Sequence, residues 1–135
     1  MVKSSCLYTG EKHCELTHEP SQSKIETDAP KDNNGRGERF SPTDLVGAAL
    51  TSCIVTTIAI VAERDGVNVI GTRAEVEKHM NPNPRMISRL PVKVTLPKGI
   101  PHDYRAKLEH VAKTCPVHRS LRADIDAPID FVYPD

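Results

Sequence analysis

Two cysteines in two different helical contexts carry the chemistry that this chain offers. Cys53 lies in the middle of Ser41-Pro-Thr-Asp-Leu-Val-Gly-Ala-Ala-Leu-Thr-Ser-Cys53-Ile-Val-Thr-Thr-Ile-Ala-Ile-Val-Ala-Glu63, and Cys115 closes Tyr104-Arg-Ala-Lys-Leu-Glu-His-Val-Ala-Lys-Thr-Cys115. Each thiol sits on an apolar helical face. A fold that brings the two together makes a buried dithiol suited to peroxide or disulfide chemistry. The competing reading is that both are small core hydrophobes, since free cysteine is among the most buried residue types.

The thiolate is the nucleophile, and at neutral pH only a few per cent of an ordinary cysteine is ionised. In mid-helix Cys53 gains nothing from the helix dipole, and apolar burial works against its charge. It needs a nearby cation. Arg36 and Arg39, in the Gly-rich loop that leads into the helix, are the candidates, against a plain reading as solvated loop charges. Pro116 biases Cys115 away from helical geometry, which places it at or next to a helix C-terminus. The partial negative charge there opposes a thiolate unless His118 or Arg119 compensates. The residues themselves therefore rank Cys53 as attacker and Cys115 as resolving partner.

Other chemistries find less support. Cys6, His13, Cys14 and His18 are the ligand types of a zinc site, but their spacing fits no compact knuckle, so no metal is expected. Gly35-Arg-Gly37 is too little for a phosphate-cradling loop, and no cofactor is expected. Eighteen basic and eighteen acidic residues cancel, which leaves no global field for nucleic acid or an anionic membrane. The opening Met1-Val-Lys-Ser-Ser-Cys-Leu-Tyr lacks an apolar signal core, so the expected location is cytoplasmic. Leu45–Ala62 is uncharged and long enough to weigh as a membrane span. Thr51, Ser52, Thr56, Thr57 and several alanines dilute it, and a core helix surrounded by protein looks the same.

The elements that position the cysteines follow from local signals. Ser41, Pro42 and Asp44 form a capping start, and Asp65-Gly66 ends the helix after Arg64. Alternation over Ile70–Glu77 and over Leu90–Leu96 reads as two strands. Asn81-Pro-Asn-Pro84 lies between them, which makes an antiparallel hairpin with a wide connection. Pro91 points to an open edge on the second strand. Tyr104, Leu108, Val111, Ala112 and Cys115 form one apolar helical stripe, with His110 near its polar edge, and Ile129–Tyr133 alternates as a last strand. Before the loop Lys31–Gly37, short extended pieces surround Cys6–Tyr8, Cys14–His18 and Lys24–Thr27. The expectation is a single α+β domain over residues 1–135. One sheet covers only one side of an all-round apolar helix, so a homodimer is expected to cover the rest.

Ser41-Pro-Thr-Asp-Leu45, Ala48-Ala49, Ser52-Cys53, Gly71-Thr-Arg-Ala-Glu-Val-Glu77 and Cys115-Pro-Val-His118 together resemble the OsmC/Ohr family of osmotically induced and organic hydroperoxide resistance proteins. The resemblance runs over nearly the whole chain. It implies an OsmC-like fold, with antiparallel sheets wrapped around two long central helices in an intertwined homodimer. It also implies a thiol peroxidase cycle: Cys53 attacks an organic hydroperoxide, Cys115 forms a disulfide with it, and a dithiol reductant, possibly lipoyl-type, resets the pair. Such a disulfide requires alpha carbons about 4.4–6.8 Å apart. The peroxidase branches carry a glutamate where this chain has Thr43, with Asp44 as the neighbouring acid, so the run is more similar to the OsmC-like subgroup. The alternative from another class is a non-catalytic dimer that binds a small apolar ligand and keeps its cysteines as packing.

Overall fold

The computed structural model describes residues 1–134, whose contacts gather in two compact units, one over Met1–Val46 and one from Gly47 onward. The first holds an antiparallel meander of β1 (Ser4–Gly10), β2 (His13–His18) and β3 (Ser23–Asp28), in that order. Its register pairs Cys6 with Leu16, Tyr8 with Cys14, and His13 with Asp28. The extended pieces foreseen around the two N-terminal cysteines are therefore longer strands of one sheet.

After β3 the Gly-rich loop folds back on the strand end. Gly35 N–H donates to Pro30 O at 2.9 Å and Gly37 N–H to Ala29 O at 3.2 Å. A Cβ at Gly35 would lie 1.8 Å from Ala29 O, so only glycine permits this approach. The capping box then forms as the sequence implies. Ser41 N–H donates to Asp44 Oδ2 at 2.9 Å, and Asp44 N–H donates back to Ser41 Oγ at 3.0 Å.

The helix so started, α1 (Pro42–Arg64), continues into the second unit with the expected boundaries. One stripe of it is buried: Gly47, Leu50, Ile54, Ile58 and Ala62. Full burial of an Ile or Leu side chain contributes about 1.5–3 kcal/mol, so this stripe is the main anchor of the helix. A Cβ at Gly47 would meet Val76 Cγ1 at 3.3 Å and Leu90 Cδ2 at 3.6 Å, which marks the close approach of the helix to its sheet. The opposite side, with Ala49, Ser52, Thr56 and Ile60, is exposed, and only 28% of the most apolar window of α1 is buried within the chain. By length and composition alone that window also passes for a membrane span.

The sheet beside α1 has the order β4 (Arg73–Val76), β7 (Val92–Thr95), β8 (Ile129–Val132). β4 and β7 pair antiparallel, as the alternation predicts, but both are shorter than expected, and β4 starts only at Arg73 because Val69–Thr72 closes into a turn. Three expectations need correction. The connection between the two strands is itself a hairpin, β5 (His79–Pro82) and β6 (Arg85–Arg89). β8 runs parallel to β7, so the sheet is mixed rather than purely antiparallel. β7 is the central strand: Pro91 lies just before it and gives up no ladder donor, while its carbonyl accepts from Glu77 N–H at 3.2 Å.

The second helical region is broken. α2 covers Arg105–Ala112, the chain turns through Lys113 and Thr114, and α3 covers Pro116–Ser120. Leu108, Ala112 and Cys115 are fully buried with Leu90, Val94 and Leu96, and His110 is exposed.

Candidate active site

Cys53 lies between the buried Leu50 and Ile54, just beside Ile54, and remains half-exposed, whereas Cys115 is 0% exposed. The structure brings these two thiols together, although their elements are far apart in sequence. The Cys115 thiol is pushed above its ordinary value, first by burial and further by the neighbouring Cys53 thiol as hydrogen-bond partner and as charge. Both residues belong to the second unit.

The setting of Cys115 differs from the expectation in a way that reverses one electrostatic argument. Its backbone is extended (φ −61°, ψ 139°), and it is the N-cap of α3 rather than the end of α2. Pro116 takes the first helical position, which its fixed φ favours. The Cys115 sulfur accepts the His118 N–H at 3.3 Å, and this bond pulls its pKa down against the larger effect of burial. A negative sulfur there meets a backbone donor, not the carbonyl end of a helix. Pro116 after a thiol was the available signal. A proline that ends one helix equally starts the next.

His118 thus acts on Cys115 through its backbone. Its ring faces away: Nε2 donates to Ala127 O at 3.2 Å. That ring borders two cavities. One, of about 430 Å³, is walled by Leu121–Pro128, and a smaller one of about 310 Å³ is lined by Lys113, Ala127, Pro128 and Ile129. Arg119 is exposed.

The loop arginines have partners within the first unit. Arg36 Nη1 pairs with Glu11 Oε2 at 2.9 Å. Arg39 donates from Nε to Glu26 Oε2 at 3.5 Å and from Nη1 to Glu38 O at 3.1 Å. Asp44 spends one oxygen on the helix cap. Of the four-residue set once weighed for zinc, His13 faces the other side of the sheet from Cys6 and Cys14 and is held by Asp28 and Glu26. His18 bonds Ser21 Oγ at 2.6 Å.

A clamp that joins the end of α1 to the start of α2 escaped sequence reasoning. Asp65, just past α1, accepts from Tyr104 Oη and from Lys107 Nζ, both at 2.6 Å. Lys107 and then Tyr104 hold the Asp65 carboxyl below its usual range, and burial followed by Asp65 pushes the Tyr104 phenol up to about 12. Also on α2, Tyr133 Oη donates to Glu109 Oε2 at 3.3 Å, and Arg105 stacks 4.3 Å from the Tyr133 ring centroid. Nothing local in the sequence signals pairs this distant along the chain.

A mixed α+β chain with one half-exposed and one buried thiol in contact defines the class of site. The chain belongs to the OsmC-like protein family, which it matches over residues 35–129. It is 37% identical to an osmotic stress induced and detoxification response protein from Psychrobacter arcticus, with a TM-score of 0.92 over 97% of this chain and 96% of that one. An organic hydroperoxide resistance protein OsmC from Legionella pneumophila shares the fold at 18% identity, with a TM-score of 0.73 over 98% and 96% of the two chains. So does an OsmC-like protein of unknown function from Vibrio cholerae, at 14% identity and a TM-score of 0.79 over 96% and 98%. No curated protein matches the chain.

Proposed function

We propose that this protein reduces organic hydroperoxides through Cys53 and Cys115. The observation that carries the reading is a half-exposed thiol on α1 in contact with a fully buried one. Membership of the OsmC-like family supports it, as do fold relatives described as organic hydroperoxide resistance proteins. Cys53 is the sulfur that a substrate can reach. Its thiolate attacks the terminal oxygen of the hydroperoxide, the O–O bond breaks, and the alkoxide leaves as the alcohol after taking a proton. Cys53 becomes a sulfenic acid. The Cys115 thiol, once deprotonated, attacks that sulfur, water leaves, and a disulfide closes. The His118 N–H steadies negative charge on Cys115 at this step. An external dithiol, of the lipoyl kind, then reduces the disulfide by exchange and is itself oxidised.

The working unit is a homodimer. The exposed side of α1, including Ile60 at 57% exposure, is covered by a second copy, since Ser52 and Thr56 on that side suit a protein neighbour better than lipid. The cycle starts from free thiols, which a reducing compartment such as the cytoplasm maintains. Sedimentation is expected to show a dimer at micromolar concentration, and a stable folded monomer would overturn that part.

Turnover of cumene hydroperoxide with dihydrolipoamide tests the chemistry. Sustained consumption supports it. No consumption leaves the second reading, a binder of small apolar ligands, for which the cavity of about 310 Å³ beside His118 is the place to look.

A further inference from the structure

The first unit carries a second pair of thiols that the proposed cycle does not use. Cys6 is on β1 and Cys14 on β2, and the register sets Cys6 opposite Leu16 and Cys14 opposite Tyr8. Residues two apart on a strand share a face, so Cys6 and Cys14 are diagonal neighbours on one face of the sheet. Their side chains interact: the Cys6 thiol is raised, first by its hydrogen bond with Cys14. Cys6 is exposed and Cys14 partly so.

Diagonal cross-strand positions have alpha carbons about 7–8 Å apart, beyond the about 4.4–6.8 Å that a disulfide tolerates. Direct S–S closure would bend the hairpin, whereas one atom inserted between the sulfurs spans the gap without moving the backbone. Thiolates select soft ions. His18 lies on this face too, diagonal to Cys6, but its Nδ1 is engaged with Ser21 Oγ at 2.6 Å. His13 points to the other side and is occupied by Asp28 and Glu26, and among the described residues no group of three or more His, Cys, Asp or Glu could hold a metal ion. A site whose gathered ligands are two sulfurs excludes ions that demand four ligands, zinc among them. It suits a monovalent d10 ion content with two.

We propose that Cys6 and Cys14 form a clip for a soft monovalent cation of the Cu(I) or Ag(I) type, bound between the two sulfurs. Binding converts two thiols to thiolates and releases two protons, with no change of oxidation state at sulfur or metal.

The test uses the full chain with Ag(I) as probe, followed by native mass spectrometry and by competition with a chromophoric chelator. Because Cys53 and Cys115 also offer sulfur, stoichiometry is compared across variants. Wild type is expected to bind one more equivalent than Cys6→Ser, and Cys14→Ser is expected to lose that same equivalent, because either sulfur alone is insufficient. The double variant should lose no more than each single one. Cys6 is exposed, so Cys6→Ser should keep the wild-type circular dichroism spectrum and isolate the metal effect. Unchanged stoichiometry in Cys6→Ser would overturn the proposal. So would independent, additive losses in the two single variants, or ready formation of a Cys6–Cys14 disulfide by mild oxidant.

Discussion

The molecule presents two dithiols built by opposite means. Cys53 and Cys115 stand on helical elements in the second unit, one half-exposed and one fully buried, whereas Cys6 and Cys14 stand on adjacent strands of the first, toward solvent. In the helical pair the thiol with the raised pKa is raised first by burial, and in the strand pair first by the hydrogen bond between the two sulfurs. Burial also brings order: a buried thiol is shielded from peroxide in bulk water, so only its partner is open to react with it. The strand pair has no fully buried member, and so no such order. On the two proposals made above, ordered redox chemistry falls to the helices and ligand capture to the strands.

The largest expected effects come from breaking the helical asymmetry. Cys53→Ser should lower hydroperoxide consumption to the rate of the dithiol reductant alone. Cys115→Ser should permit a single turnover and leave Cys53 as a sulfenic acid that a trapping reagent labels. Equal loss in both variants with no trapped sulfenic acid would count against the order. The order rests on accessibility. The expected opposition of a helix C-terminus to a Cys115 thiolate is gone, since Cys115 caps the start of α3.

A second comparison is made by oxidation. After mild peroxide treatment, peptide mapping should find Cys53 linked to Cys115, and Cys6 and Cys14 still reduced or oxidised singly. A linked Cys6–Cys14 with free Cys53 and Cys115 would reverse the assignment of the two pairs.

Much of this frame was legible in the residues, for identifiable reasons. The limits of α1 followed from short-range chemistry, the Ser41–Asp44 cap and the Asp65-Gly66 stop, and such signals act within four residues. The β4–β7 pairing followed from alternation. The β5–β6 hairpin was hidden because Pro82 and Pro84 mask a strand pattern only four or five residues long. The parallel β8 depends on a crossover through α2 and α3 that periodicity does not encode. The contact of Cys53 with Cys115 spans most of the second unit. Spacing alone could not deliver it, and a family resemblance could.

A smaller effect tests what keeps the helical pair in place. Tyr104→Phe removes one donor to Asp65 while Lys107 remains, so a small loss of stability is expected. Chemical denaturation measures it. If the clamp sets the spacing between α1, which carries Cys53, and α2, which leads to Cys115, the same variant should slow disulfide closure after sulfenic acid formation. Unchanged closure would make the clamp a matter of stability alone.

The smallest expected effect belongs to the frame of the strand pair, on the other face of its sheet. His13 lies with Nδ1 2.6 Å from Asp28 Oδ1 and Nε2 3.0 Å from Glu26 Oε1, and Asp28, 1% exposed, also accepts the Glu38 N–H at 3.1 Å. Hydrogen bonds with Asp28 and then Glu26 raise the His13 pKa above its ordinary 6.5. The His13 hydrogen bond lowers Glu26 below 4.5 and Asp28 below 3.8. The raised imidazole contributes stability that is fully present below pH 6.5 and lost as pH rises through its folded value. The depressed carboxylates contribute stability that is present above pH 4.5 and lost as pH falls through their folded values. Both contributions are therefore complete between about pH 4.5 and 6.5. Denaturation midpoints of wild type and His13→Gln should differ most in that window and converge at higher pH, where wild-type His13 is neutral as glutamine always is. The face bearing Cys6 and Cys14 should keep its Ag(I) stoichiometry throughout the window in His13→Gln, because the imidazole points away from it. A stability difference independent of pH would mean that His13 holds the sheet by packing and not by its charge.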